Sequence, residues 1–150
     1  MLQGDPIYIL LVEDDPAHAE IVYRNLSDFR VANRIITVRD GQEALDYLHR
    51  VNGFAPPAEA PRPDLILLDL RLPKVDGLDV LSRIKADDDL CLIPTVVLTT
   101  SRAEEDLVRA YSHGASSYLE KPVDFEKFSS LLKAFGFYWL VWNQFPHPSK

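Results

Sequence analysis

Ile7-Tyr8-Ile9-Leu10-Leu11-Val12-Glu13-Asp14-Asp15 passes from an unbroken apolar run straight into three acids. A run without polar alternation predicts a strand buried on both faces, as in a parallel sheet covered by helices on each side. Pro16 suits the first turn of a helix, with Asp15 as its N-cap. Ala19, Val22, Tyr23 and Leu26 then follow at the spacing of one helical face.

The same strand, polar end and helix recur downstream. A weaker strand over Arg34 to Val38 precedes Asp40-Gly41 and a helix with Ala44, Leu45, Leu48 and Val51 on its inner side. Leu65 to Leu68 reads as a second strongly buried strand that ends in Asp69. A helix follows from about Gly77 to Ala86, with Leu78, Leu81 and Ile84 inward. Thr95 to Leu98 ends in Thr99-Thr100-Ser101, and its helix carries Ala103, Leu107, Ala110 and Tyr111. A short strand over Ser116 to Glu120 leads into Lys121-Pro122, and Asp124 caps the last helix. Residues 52–63, NGFAPPAEAPRP, contain Pro56, Pro57, Pro61 and Pro63, which exclude helix and central strand and predict an extended surface loop. Strand–helix units this short predict right-handed crossovers and a doubly wound α/β fold, with a five-stranded parallel sheet flanked by helices.

Composition narrows the function classes. At 150 residues the chain is the size of one domain. A formal net charge of -7, with scattered basic residues, argues against nucleic-acid binding. No apolar run approaches the ~20 residues that cross a bilayer. The absence of a signal-like N-terminus, and Cys91 as the single cysteine, point to the reducing cytoplasm.

The chemistry lies at the strand ends: Glu13 and Asp14 after the first, Asp69 after the third, Thr99 after the fourth, Lys121 after the fifth. A doubly wound sheet brings those ends to one edge, where ligands bind near the reversal of strand order. Three carboxylates brought together repel one another unless a cation neutralises them. Mg²⁺ fits such hard oxygen ligands and leaves positions for phosphate. A lysine can pair with the same acid and later hold a phosphate oxygen, and Thr99 offers a hydroxyl. Aspartate can itself act as the nucleophile and form an acyl phosphate. Asp15, Asp76 and Asp79 read as caps and solvent-facing residues, and Asp87-Asp88-Asp89 as a solvated turn. His18, His49, His113 and His147 show no ligand spacing and are assigned no chemistry.

VEDD at 12–15, LLDLRLP at 67–73, VVLTTS at 96–101 and GASSYLEKP at 114–122 together resemble the receiver domain of bacterial response regulators, over roughly Ile7 to Leu132. The resemblance implies the flavodoxin-like (βα)5 receiver fold and phosphoryl transfer from a sensor histidine kinase. It matches Asp69 to the phosphoacceptor, Asp14 to a direct Mg²⁺ ligand, Glu13 to an acid acting through metal-bound water, and the Arg71 backbone carbonyl to a third ligand. It also implies Thr99 and Tyr118 as the switch pair, Lys121 as the phosphate-pairing lysine, and a cis Lys121-Pro122 peptide. Thr100 stands where the family more often has alanine, which narrows phosphoryl access. EALDYLHRVNGF, APRPDLILLDLRLPKVDGLDVL, VVLTTSRAEED and the aromatic tail resemble in particular the stand-alone regulators that partner bacterial and cyanobacterial phytochromes.

These readings divide the chain into a receiver at 1–134 and an aromatic extension at 135–150, with no output domain. Phe128, Leu131, Leu132 and Phe135 form a stripe that Trp139 and Trp142 continue, and FGFYWLVW is apolar all round. Such a helix must be covered. The expectation is a homodimer through the fourth and fifth helices and the tail, with Phe128, Leu132, Phe135, Trp139 and Trp142 at its interface. A membrane-surface helix lacks the basic face it needs here. Three rival functions stay open. An Mg²⁺-dependent aspartyl-phosphate phosphohydrolase wants a D-x-D arrangement that Asp69-Leu70-Arg71 lacks. An FMN binder wants a hydroxyl- and glycine-rich loop where this chain has acids. A pseudo-receiver, acting as a phosphate-independent interaction module, would not need the full set of site residues.

Overall fold

A computed structural model of the chain describes residues 6–29 and 33–146. His147 therefore lies outside the described residues. Five strands and five α-helices alternate: β1 (Ile7–Val12), α1 (Pro16–Ser27), β2 (Asn33–Val38), α2 (Gly41–His49), β3 (Leu65–Leu68), α3 (Gly77–Ala86), β4 (Thr95–Thr99), α4 (Glu104–Ser112), β5 (Ser117–Glu120) and α5 (Phe125–Gly136). The strands pair in parallel in the order β2-β1-β3-β4-β5. The order reverses between β1 and β3, which is where the doubly wound reading places a ligand.

Side-chain alternation along each strand feeds two cores. Leu10, Val12, Ile66, Leu68 and Val97 pack with α2, α3 and α4 residues on one face. Ile9, Leu11, Leu65, Leu67, Val96 and Leu98 pack with Val22 and Leu26 of α1 and Phe128, Leu132 and Phe135 of α5 on the other. Caps fall where short polar side chains precede helices: Asp15 accepts from the backbone N–H of Ala17, Asp40 from Glu43 and Asp124 from Lys127. Asp76 also precedes a helix, yet its side chain makes no cap hydrogen bond. At Gly77 an added Cβ would stand 2.4 Å from the Asp69 carbonyl oxygen and 2.5 Å from Leu70 Cα. The bare backbone of α3 thus lets it abut the end of β3.

Several details depart from the periodicity. Val51 lies beyond α2 and is exposed, and Tyr23 of α1 faces solvent. In α4 the expected inner face of Ala103, Leu107, Ala110 and Tyr111 keeps only Ala110 buried, while Asp106 turns inward. Hydrogen-bond donors from other segments, the Arg71 guanidinium and the Ser101 hydroxyl, hold that acid, and helical spacing carries no trace of them. The proline-rich loop opens with a short 3₁₀ turn, Asn52–Phe54. The peptide between Pro56 and Pro57 is cis, whereas Lys121-Pro122 is trans, contrary to the cis bond expected there. An Xaa–Pro bond prefers trans by only about 0.5–1 kcal/mol, so the surrounding fold selects the isomer.

The tail does not stand apart from the core. After Gly136 the helix widens into a π-helical turn, Phe137–Trp142, and the Asn143 N–H donates to the Tyr138 carbonyl at 2.7 Å, five residues back. The wider turn rotates the apolar stripe. Leu140 enters the second core, Trp139 lies half-buried against it, and Trp142 is 75% exposed. Phe128, Leu132 and Phe135 are buried by the chain's own β1 and α1 packing, so a second copy is not needed to cover them. Phe137, Tyr138, Val141 and Trp142 are the large apolar side chains that the tail leaves on the surface.

Candidate functional site

Register sets the site. Val12 pairs with Leu68, and the Asp69 N–H donates to the Val12 carbonyl at 3.1 Å, so Glu13 and Asp69 leave adjacent strands side by side. On the other flank Thr99 pairs with Glu120, and the Lys121 N–H donates to the Thr99 carbonyl at 2.7 Å. The four strand ends that the sequence singles out therefore meet. Oxygens of Glu13, Asp14 and Asp69 lie within 4.8 Å of one another, with Glu13 and Asp69 buried and Asp14 exposed. Lys121, 3% exposed, bonds to Glu13 Oε1 and, at 3.0 Å, to Asp69 Oδ2.

The electrostatics leave room for a cation. With all three carboxylates ionised, the one ammonium leaves an excess of two negative charges at a largely buried point. Burial pushes the Glu13 carboxyl from 4.5 up to about 7; the Lys121 ammonium opposes the shift and Asp69 adds to it. An all-oxygen donor set carrying that excess suits a hard divalent ion, and the exposed edge at Asp14 gives it an entry path.

A family model for the response regulator receiver domain matches residues 9–133. The chain belongs to this family. It is 48% identical over 145 residues to a probable methanogenesis regulatory protein, FilR2, of Methanothrix harundinacea, covering 97% of this chain and 91% of that one. The Mn²⁺-bound form of response regulator Rcp1, a protein of Synechocystis sp., superposes with a TM-score of 0.91 at 37% identity, covering 95% of this chain and 100% of that one. The phosphorylated cyanobacterial phytochrome response regulator RcpA gives a TM-score of 0.90 at 38% identity, again covering 95% and 100%. The chain is thus a phosphoacceptor response regulator domain homologous to the phytochrome regulators.

Around this receiver's acidic pocket the remaining site residues form one hydrogen-bonded chain. The Arg71 N–H donates to Asp69 Oδ1 at 3.2 Å, and the Arg71 guanidinium reaches Asp106 Oδ2 at 2.5 Å. The Ser101 hydroxyl donates to that same Asp106 oxygen at 2.6 Å. Thr99, fully buried, accepts from the Ser101 N–H at 3.4 Å through its hydroxyl. Tyr118 is partly buried and donates from its hydroxyl to the Ser101 carbonyl at 3.0 Å; burial raises its pKa. The loop after β4 is therefore tied at Ser101 to α4, to β5 and, through Asp106 and Arg71, to the end of β3.

Two residues at the site carried no expectation of chemistry. His18 places Nδ1 3.0 Å from Lys121 Nζ, although the four histidines looked unconnected in sequence. Its place in the first turn of α1, directly after the acidic end of β1, was the available clue. Asp106 looked like an ordinary acid in the first turn of a helix and is 7% exposed; no local pattern marks it. Asp87 accepts from the Asp89 and Leu90 N–H groups, and Asp89 pairs with Arg62 at 2.7 Å, so that acidic turn is structural.

Proposed function

We propose that Asp69 receives a phosphoryl group from the phosphohistidine of a sensor kinase, with Mg²⁺ held by Glu13, Asp14, Asp69 and the Arg71 carbonyl. The carrying observation is the convergence of three carboxylates within 4.8 Å beside a buried lysine already bonded to two of them. When bound, the cation supplies neutralisation for the charge on the phosphoryl oxygens. Asp69 contributes the attacking carboxylate oxygen. Its bond to phosphorus forms as the bond from phosphorus to the donor nitrogen breaks, and the histidine leaves with the electron pair. Lys121 turns an N–H from Asp69 to a phosphoryl oxygen. Thr99 and Tyr118, joined through Ser101, carry the change to α4.

The kinase is of the phytochrome type, a reading supported by the likeness to RcpA and Rcp1. Self-dephosphorylation is slow, and the protein works in the cytoplasm. No described helix is long and apolar enough to cross a membrane, and the acidic charge disfavours nucleic acid. Two copies associate through α4, α5 and the tail, where Leu107, Val108, Tyr111, Phe137, Tyr138 and Trp142 are exposed. The decisive experiment is intact mass after incubation with a phytochrome kinase, or with acetyl phosphate, and Mg²⁺. Wild type gains one phosphoryl group and Asp69→Asn gains none. A wild type that stays unmodified while turning over added phosphomonoesters would instead be a phosphohydrolase.

A further inference from the structure

The Lys121 ammonium has three hydrogens and three acceptors. Two are the carboxylates of Glu13 and Asp69, and the third is Nδ1 of His18 at 3.0 Å. An ammonium only donates, so Nδ1 accepts and the neutral ring carries its proton on Nε2. Nε2 lies 3.6 Å from Asp15 Oδ2, which favours that tautomer. The ring also stands edge-on to Phe128, with centroids 5.9 Å apart and planes at 88°. Phe128 is 2% exposed, so the imidazole rests against a fixed wall.

We propose that His18 is a positioning residue for phosphoryl transfer, its Nδ1 holding the Lys121 ammonium beside Asp69 before and after that carboxylate is esterified. The inference rests on Asp69 as the phosphoacceptor. Once Asp69 takes the phosphoryl group, Lys121 must move one N–H from Asp69 Oδ2 to a phosphoryl oxygen. Glu13 alone would then anchor the ammonium, and Glu13 is also among the acids that face the cation. A third, neutral acceptor fixes the nitrogen without adding negative charge that would repel the phosphoryl group. An imidazole meets both conditions; a carboxylate in its place would not. Among the described residues no other histidine lies near the pocket: His49 and His113 sit at the ends of α2 and α4.

The test compares wild type, His18→Leu and His18→Asn in the full chain, following acetyl-phosphate labelling by intact mass and Mn²⁺ affinity separately. Loss of a hydrogen bond to a charged group predicts labelling about tenfold slower in His18→Leu. His18→Asn keeps a neutral acceptor and recovers most of that rate, while Mn²⁺ affinity stays unchanged in both because His18 is not one of the clustered acids. Labelling of His18→Leu at the wild-type rate overturns the inference. So does a parallel fall in labelling and Mn²⁺ affinity, or no recovery in His18→Asn, because either marks a role confined to packing. Nitrogen-15 NMR of the wild-type ring gives a check independent of variant folding: a proton found on Nδ1 refutes the contact. A wild type that takes no phosphoryl group overturns the Asp69 assignment first and this inference with it.

Discussion

The Arg71 guanidinium and the Asp106 carboxylate meet at 2.5 Å, joining the residue two places after Asp69 to the first turn of α4. The contact is lopsided, with the Arg71 side chain 63% exposed and that of Asp106 10% exposed. Removing the acid strands the partly buried Ser101 hydroxyl as well as the guanidinium, whereas removing Arg71 leaves Asp106 still bonded to Ser101. Asp106→Ala is expected to cost about 1–3 kcal/mol in chemical denaturation. Arg71→Ala should cost at most about 1 kcal/mol, as for other exposed ion pairs. Equal losses would contradict this account.

Lys121 is the cation bonded to two buried carboxylates. Lys121→Met leaves Glu13 and Asp69 without a counter-charge and is expected to lower stability by about 3–5 kcal/mol in the presence of a chelator. Added Mg²⁺ should restore part of that loss by supplying the missing positive charge. Urea midpoints with and without Mg²⁺ measure both effects.

Glu13 carries a pH dependence whose sign is fixed by its raised pKa. The folded carboxyl titrates at about 7 and the free one at 4.5, so the native state binds this proton more tightly. Its contribution to stability is complete below pH 4.5 and is lost as pH rises through 7. In cation-free protein the denaturation midpoint at about pH 8 should fall below that at about pH 5, and Glu13→Gln should flatten the difference. A divalent ion competes for the same oxygens, so its affinity should rise across that window, read by titration calorimetry.

Gly77 packs so closely on the end of β3 that a methyl group has no space. Its contacts are the Asp69 carbonyl oxygen and Leu70 Cα, backbone atoms that cannot swing away. Gly77→Ala should destabilise by about 1–3 kcal/mol in thermal or chemical denaturation, and it should slow labelling of Asp69 by shifting that strand end. An alanine variant as stable as wild type would show that α3 moves freely.

The tail separates core from surface within three residues. Leu140 is 4% exposed and Trp142 is 75% exposed. Leu140→Ala should cost about 2–5 kcal/mol. Trp142→Glu should leave stability within about 0.5 kcal/mol and weaken self-association. Sedimentation at micromolar concentration tests the second outcome, and a wild type that stays monomeric there would refute the dimer. Truncation after Ala134 removes both residues together and does not separate packing from association.

The strand–helix alternation, the two-faced burial of β1 and β3 and the polar ends of the strands were legible in the chain itself. Apolar run length and helical spacing record how each segment meets its own sheet, and Glu13, Asp14, Asp69, Thr99 and Lys121 follow strands whose order brings their ends together. What only the tertiary structure decided are the contacts between distant segments. Arg71 and Asp106 are 35 residues apart and Lys121 and His18 are 103 apart, and pairing at that range leaves no periodic mark. The tail belongs with these. Eight consecutive residues from Phe135 to Trp142 announce burial, but only the widened turn and the packing against the second core select Leu140 for the interior and leave Trp142 outside.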